Sequence, residues 1–285
     1  MRNFFRAVGA AIWYFFIYFI MQIGVTLIFL LVFAARLGFG KALSGQAPDL
    51  DSIQQSISGF LTYNMNLILL VSGLMTVLTL VLVFRSRKKS FLRETGFSKV
   101  RLVSLWPLIP LGLALNIMIS SAIELLPIPQ EVLESYERMA GLVTGGSIIV
   151  QVINAAIVTP AVEEIIFRGL IFTRLKKGMP AVIAVLISAA VFGLMHGHVV
   201  WMSYGFIIGL LLVLVFLKYR SLAAPILLHI SFNASSFLLE RLNIEGELIY
   251  AILLALSAAL AISIFVFIMT VKPSASEKND LNKPD

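Results

Sequence analysis

The chain contains no cysteine, which excludes disulfide bonds, thiolate metal ligands and a cysteine nucleophile. Charged residues are also scarce, because Asp, Glu, Lys and Arg make up 13% of the 285 residues, whereas 59% are hydrophobic. Soluble domains carry about 25% charged residues, so this composition excludes the soluble class. The alternating ten-residue segments of membrane barrels are absent too. A polytopic helical membrane protein is the class that remains.

Apolar runs of about twenty residues recur along the chain and predict an all-α bundle of about eight transmembrane helices. The first seven predicted spans are 10–35, 60–84, 102–126, 148–172, 178–196, 199–217 and 222–239, and the eighth ends near residue 271. We expect residues 1–272 to form a single integral membrane domain with a motif-bearing core at 148–240. The polar tail, residues 273–285, is expected to be disordered.

The basic residues indicate how these spans are oriented. With alternating spans and Arg168 left aside, 17 Lys and Arg fall on one side of the membrane and 4 on the other. Because basic residues concentrate in cytoplasmic segments, both termini are expected in the cytoplasm. The net charge of +7 therefore needs no nucleic-acid partner. We expect a multi-pass protein of a bacterial cell membrane.

Two further segments have the composition of membrane-surface elements. Residues 85–101 form the densest basic segment, which either contacts anionic lipids or only sets the topology. Residues 130–142 predict an amphipathic helix that either lies on the interface or covers a substrate cavity. Its apolar stripe consists of Val132, Leu133, Tyr136, Met139 and Ala140.

Three charged residues, Glu163, Glu164 and Arg168, interrupt the apolar run of the fourth span. An ionised side chain near the centre of a bilayer costs about 2.5 to 3.5 kcal/mol, so these residues should face a protein interior or a wet cavity. On a helix, Glu164 and Arg168 are four residues apart and share a face, whereas Glu163 lies about 100° away. Glu164 can therefore neutralise Arg168, and Glu163 needs a cation or a histidine from elsewhere in the chain.

The chain has three histidines, and two of them belong to pairs with helical spacing. Phe192 precedes His196 by one turn, and His229 precedes Asn233 by one turn, so each pair shares a helix face. His198 has no such partner and is expected to be a polar turn residue.

These polar groups have the chemistry that hydrolysis requires. Glu163, His196, His229 and Asn233 supply a base that activates water, an imidazole that relays its proton, and donors for a tetrahedral oxyanion. Glu163, His196 and His229 equally form a set of two histidines and one carboxylate that could bind zinc and leave a position open for water. The residues alone do not decide between these two mechanisms.

Other hydrolytic mechanisms lack the residues they need. All four aspartates lie outside the predicted spans, which excludes a pair of membrane-embedded aspartates. The sequence contains neither His-Glu-x-x-His, the motif of one class of zinc peptidases, nor Gly-x-Ser-x-Gly, a motif of serine hydrolases.

Three motifs, which lie in order on the fourth, fifth and seventh predicted spans, resemble the signature of the CPBP family. This family comprises the CAAX proteases and bacteriocin-processing enzymes that are also called Abi proteins. The resemblance covers residues 150–239 in motif and the whole chain in the number of spans. The motifs are Glu163-Glu164-x-x-x-Arg168, Phe192-x-x-x-His196 and His229-x-x-x-Asn233.

The resemblance implies an eight-span intramembrane endopeptidase related to the enzyme that removes the last three residues of prenylated CAAX proteins. It implies that Glu163 activates water with His196 as its partner, and that His229 and Asn233 form the polar wall or donate to the oxyanion. Glu164, Arg168 and Phe192 are then structural or orient the substrate. Members of the family are described either as metal-dependent or as using the glutamate and histidine directly.

The expected partners are membrane lipids and a hydrophobic or lipid-modified peptide or protein substrate, with zinc as the candidate cofactor. One alternative is a non-catalytic membrane scaffold or bacteriocin self-immunity factor with the same fold. Another is an ion-coupled transporter, which would use buried Glu and His as a proton relay.

Overall fold

The computed structural model describes residues 2–44, 49–242 and 244–271. These residues form helices and connecting turns and contain no strand, which confirms the predicted all-α fold. The predicted disordered tail, residues 273–285, lies outside the described residues.

The described residues form ten helices, which we number in chain order. They are α1 (Arg2–Ser44), α2 (Leu50–Ser86), α3 (Phe91–Glu94), α4 (Leu108–Leu125), α5 (Gln130–Thr144), α6 (Ile148–Leu175), α7 (Ala181–Leu194), α8 (Val199–Tyr219), α9 (Ala223–Leu239) and α10 (Glu247–Thr270). Two short 3₁₀ turns, Leu102–Leu105 and Glu240–Leu242, precede α4 and follow α9.

Six helical segments in the described part of the chain are long and apolar enough to cross a membrane: α1, α2, α4 together with the 3₁₀ turn before it, α6, α8 and α10. The fifth and seventh predicted spans correspond to α7 and α9, which have 14 and 17 residues. At 1.5 Å per residue they extend about 21 and 26 Å, less than the roughly 30 Å of a hydrocarbon core. The polytopic helical bundle is confirmed, whereas eight spans and cytoplasmic termini stay predictions.

Helix α6 is irregular around the glutamates. Short α-helical segments alternate with two π-helical stretches, Val152–Val158 and Ile165–Phe172. Pro160 has no backbone N–H to continue the α-helical hydrogen bonds, and the amide of Thr159 donates to the carbonyl of Asn154, five residues earlier. Such π turns occur frequently at functional sites.

The centre of the bundle lies around the second half of α6. All residues from 164 to 172 are buried, and the core around them includes Tyr14 and Tyr18 of α1, Phe192 of α7 and Leu228 of α9. Glu164 and Arg168 therefore lie inside the protein and not against lipid, as expected for charges in a membrane segment.

Glycines allow the histidine-bearing helices to pack closely on their neighbours. A Cβ at Gly193 of α7 would lie 2.8 Å from the carbonyl oxygen of Met202 in α8, and a Cβ at Gly112 of α4 would lie 2.7 Å from the backbone nitrogen of Phe232 in α9. Asn116 also donates to the Phe232 carbonyl at 2.9 Å. Small residues and interhelical hydrogen bonds are the usual means of helix association in membranes.

We expect Gly112→Ala to lower the thermal unfolding temperature in detergent, because the added methyl group would push α9 away from α4. Gly24→Ala in α1 is the matched control: nothing lies within 4 Å of a Cβ at that position, and alanine favours a helix interior by about 1 kcal/mol over glycine. Equal unfolding temperatures for the two variants would contradict a tight α4–α9 contact.

Candidate active site

A buried ion pair lies at the centre of the site. Glu164 Oε1 accepts from Arg168 Nη1 at 2.7 Å, and both side chains are fully buried. Arg168 Nη2 donates to the carbonyl of Gly209 in α8 at 3.1 Å, and its guanidinium carbon is 4.2 Å from the centre of the Phe192 ring. A carboxylate, a carbonyl and an aromatic face thus stabilise the arginine. The pairing predicted from the four-residue spacing is present.

The same carboxylate positions His229. The Nδ1 atom of His229 lies 3.0 Å from Glu164 Oε1, and because a carboxylate only accepts, we assign the Nδ1 proton to the histidine. The other ring nitrogen, Nε2, lies 3.8 Å from Glu163 Oε2. This distance is too long for a direct hydrogen bond, so both atoms keep their capacity to accept a hydrogen bond from a water molecule.

Glu163 differs from Glu164 in its surroundings. Its side chain is 13% exposed; among the described residues it makes no hydrogen bond, and its one ion-pair contact is with His229. The expectation that Glu163 needs a distant cation or histidine is therefore met by His229 of α9. A carboxylate with free lone pairs beside an imidazole can accept a proton from water.

His196 lies just after α7 with one ring nitrogen engaged. Its Nδ1 is 2.9 Å from the carbonyl of Phe192, and because a carbonyl only accepts, Nδ1 carries the proton and Nε2 of the neutral ring is an acceptor. The Phe192 ring lies 4.9 Å from the His196 ring and 5.7 Å from the His229 ring, between centroids. Phe192 therefore contacts both imidazoles. His196 makes no hydrogen bond or ion pair with Glu163.

Asn233 binds the backbone of the irregular helix. Its Nδ2 donates to the carbonyl of Ala155 at 2.9 Å. That carbonyl lacks an amide partner in α6, because the amide of Thr159 donates to Asn154 and the next residue is Pro160. Asn233 thus satisfies a carbonyl that the proline sets free, and it keeps a second amide N–H.

His198 lies outside this cluster. Its Nδ1 accepts from the Val200 amide at 3.3 Å at the start of α8, and its Nε2 is 2.9 Å from Ser135 Oγ in α5. The side chain thus joins the amphipathic helix α5 to the α7–α8 turn, in keeping with the expected turn role. Periodicity correctly predicts the apolar stripe of α5, whose residues are half-buried, but it does not reveal this contact.

A second polar network supports the N-terminal half of α6. Asn154 donates to Asn66 of α2 at 3.1 Å and accepts from Thr159 at 2.9 Å, and Asn66 donates to the Val143 carbonyl of α5 at 2.7 Å. Helical spacing does not predict this network. The presence of an asparagine in each of two apolar runs does indicate such a contact, since buried amides need hydrogen-bond partners.

The donor chemistry fits zinc in one respect. Each active-site histidine uses Nδ1 for a carboxylate or carbonyl and leaves Nε2 for another ligand, as zinc-binding histidines commonly do. The described residues contain, however, no group of three His, Asp or Glu side chains arranged to hold a metal ion. Of the predicted zinc set, Glu163 and His229 lie together, and His196 bonds with neither.

The fold and the site define a polytopic helical membrane protein with a buried cluster of two glutamates, an arginine and a histidine, flanked by a second histidine and an asparagine. Residues 145–235, which contain all of these side chains, match the family model described as Type II CAAX prenyl endopeptidase Rce1-like. This match confirms the resemblance to the CAAX proteases and supports an integral membrane endopeptidase at the level of the family. No curated protein and no solved structure matches the chain.

We expect Arg168→Met to lower the free energy of unfolding by about 3 to 5 kcal/mol, because it leaves Glu164 buried without its cation. Thermal unfolding in detergent measures the loss. Glu164→Leu combined with Arg168→Met removes both charges and should cost less than Arg168→Met alone. Arg138→Met is the control, since its guanidinium lies 3.9 Å from Glu134 in an exposed pair and should contribute less than about 1 kcal/mol. A loss at Arg168 no larger than this control would contradict the prediction.

Proposed function

We propose that this protein is an intramembrane endopeptidase that hydrolyses a peptide bond in a hydrophobic or lipid-modified peptide or protein. The observation that supports this most directly is Glu163 Oε2, free of hydrogen bonds, 3.8 Å from His229 Nε2. Both residues lie in the segment that matches the CAAX endopeptidase family. In this proposal Glu163 is the general base that takes a proton from the attacking water.

His229 has the role of an oxyanion donor in this mechanism. This role needs a second ring proton on His229, at the Nε2 atom that faces Glu163. With Nδ1–H held by Glu164, the Nε2–H of His229 is available for the oxygen of the tetrahedral intermediate. The second amide N–H of Asn233 is the other proposed donor.

His196 is proposed to carry the proton to the leaving amine. Its Nδ1 is fixed by the Phe192 carbonyl, which leaves Nε2 to accept a proton from Glu163 and pass it on. Catalytic hydrogen bonds are often long before substrate binds, so the absence of a direct Glu163–His196 contact is compatible with this role. Phe192 and the Glu164–Arg168 pair hold the two imidazoles in place.

The position of these groups within apolar helices favours a substrate that reaches the site from the membrane. We propose a bacterial cell membrane as the location. The substrate there is a peptide that is hydrophobic or carries a lipid, such as a leader-bearing peptide that requires maturation.

We expect Glu163→Gln to abolish cleavage while the thermal unfolding temperature stays close to that of the wild type, since the amide keeps the shape but cannot accept the proton. Mass spectrometry of membrane and secreted peptides compares cells that express the wild type, Glu163→Gln or Glu124→Gln at matched levels. Glu124 is exposed near the end of α4 and is the charge-matched control.

In this comparison, peptides with one recurrent end should be present with the wild type and Glu124→Gln and absent with Glu163→Gln. Those ends would define the specificity of cleavage. Indistinguishable peptidomes, together with a cellular phenotype that persists in Glu163→Gln, would sink the endopeptidase proposal and favour a scaffold.

Zinc is tested separately on the purified protein. If zinc binds, Glu163, His196 and His229 would be its ligands, and zinc would act as a Lewis acid that polarises a water molecule. In the mechanism proposed above Glu163 acts directly, so we expect cleavage to survive treatment with a strong chelator. Loss of cleavage that zinc restores, with a bound-zinc content that falls in His229→Ala but not in His198→Ala, would establish the metal mechanism instead.

A further inference from the structure

A second site lies away from the catalytic cluster, at the end of the bundle that the basic residues predict to be cytoplasmic. A cavity of about 450 Å³ opens between α3 and the turn that joins α8 to α9. Its lining includes the side chains of Ser90, Arg93, Ser98 and Arg220 and the apolar Leu92. It therefore combines two guanidinium groups and two hydroxyl groups with apolar surface.

Hydrogen bonds between distant parts of the chain fix the wall of this cavity. Ser98 Oγ donates to the Arg220 carbonyl at 2.6 Å, and Ser221 Oγ donates to the Ser98 carbonyl at 2.8 Å. The Leu222 amide donates to the Gly96 carbonyl at 3.0 Å. Arg220 and Gly96 both adopt left-handed backbone conformations, with φ of 52° and 82°. The cavity is thus preformed, which reduces the entropy lost when a ligand binds.

The charge around the cavity is strongly positive. Residues 85–101 contain seven basic residues and a single acid, Glu94, which bonds with Lys89 at 2.9 Å and with Arg174. Burial raises the pKa of Glu94, but the two basic partners outweigh burial and hold it below the ordinary value of 4.5. Glu94 therefore stays ionised and engaged with other groups, and the Arg220 guanidinium makes no hydrogen bond or ion pair within the described residues.

Apolar side chains are exposed both in the cavity lining, at Leu92, and in the segment that follows Arg101. Leu102 and Val103 are 82% and 81% exposed, and Trp106 and Leu92 are 59% and 58% exposed. The Tyr219 hydroxyl ties this segment to the end of α8 by donating to the Ser104 carbonyl at 2.9 Å. Aliphatic side chains and a tryptophan next to basic residues are typical of the membrane–water interface, which places the cavity at the level of lipid headgroups.

We propose that this cavity binds the phosphate headgroup of an anionic phospholipid. Arg93 and Arg220 bind the phosphate oxygens, as arginine does in bidentate phosphate recognition, and the Ser90 hydroxyl, whose oxygen accepts from the Arg93 amide, donates a further hydrogen bond. Leu102, Val103 and Trp106 contact the acyl chains. A basic segment that only sets the topology would not need a preformed cavity, whereas a headgroup site does.

Native mass spectrometry of the detergent-purified protein with added phosphatidylglycerol or phosphatidylcholine tests the proposal. We expect Arg93→Gln combined with Arg220→Gln to weaken phosphatidylglycerol binding about tenfold or more, since charge-assisted hydrogen bonds are lost, and to leave phosphatidylcholine binding unchanged. Lys176→Gln combined with Lys177→Gln is the control, because it changes the net charge by the same amount. Both lysines are exposed, lie outside the cavity lining and are predicted to lie on the same side of the membrane as the cavity.

Two results would overturn the proposal. An equal loss of phosphatidylglycerol binding in both double variants would show that binding follows net charge and not the cavity. Displacement of the lipid by glycerol phosphate at equal concentration would show a site for soluble phosphate. Thermal unfolding without added anionic lipid, expected to be unchanged in the arginine variant, separates loss of the site from loss of the fold.

Discussion

The buried pair of Glu164 and Arg168 is the interaction on which the rest of the structure depends. Two charges in the interior of a membrane protein are tolerated when they pair with each other and when further groups of the protein contact them. Here Gly209 of α8 and Phe192 of α7 contact Arg168, and His229 of α9 binds Glu164. Within the described residues, Arg168 Nε and Glu164 Oε2 are buried without a hydrogen-bond partner. Four helices must therefore be in place before the pair is stable. The same contacts assemble the site, so folding and site formation are physically linked.

Proline in α6 provides the second link between sequence and site. Pro160 cannot donate a backbone hydrogen bond, and the shift to π-helical bonding leaves the carbonyl of Ala155 without an amide partner. An unpaired carbonyl in a membrane segment is costly, and Asn233 supplies the missing donor. The irregular turn that precedes Glu163 in α6 is thus also bonded to the helix that carries His229.

Much of this arrangement could be predicted from spacing alone. The recurring apolar runs of about twenty residues predicted the all-α bundle, and the four-residue spacing predicted that Glu164 and Arg168 pair. The residue types predicted that Glu163 and His229 share a site, but the spacing could not predict that Glu163 lies beside His229 with no bond to His196, because this depends on how the helices pack and periodicity describes only one helix at a time. The π-helical stretches were missed for a related reason: the sequence shows Pro160, but the partner of the freed carbonyl lies 78 residues away. The short lengths of α7 and α9 could not be predicted, because apolar residues in the adjacent turns lengthen the apolar run of each helix in the sequence.

A common rule relates the two proposed sites. Charged groups that pair with an opposite charge of the protein, such as Arg168 with Glu164 and Glu94 with Lys89, have their charge balanced within the protein. The carboxylate of Glu163 inside the bundle and the guanidinium of Arg220 at its surface both lack a hydrogen bond in the described structure, whereas hydrogen bonds fix the backbone of Arg220. A charge kept in place without a full set of partners is stabilised when a ligand of suitable chemistry arrives. By this argument the attacking water that we propose donates a hydrogen bond to Glu163, and a lipid phosphate pairs with Arg220.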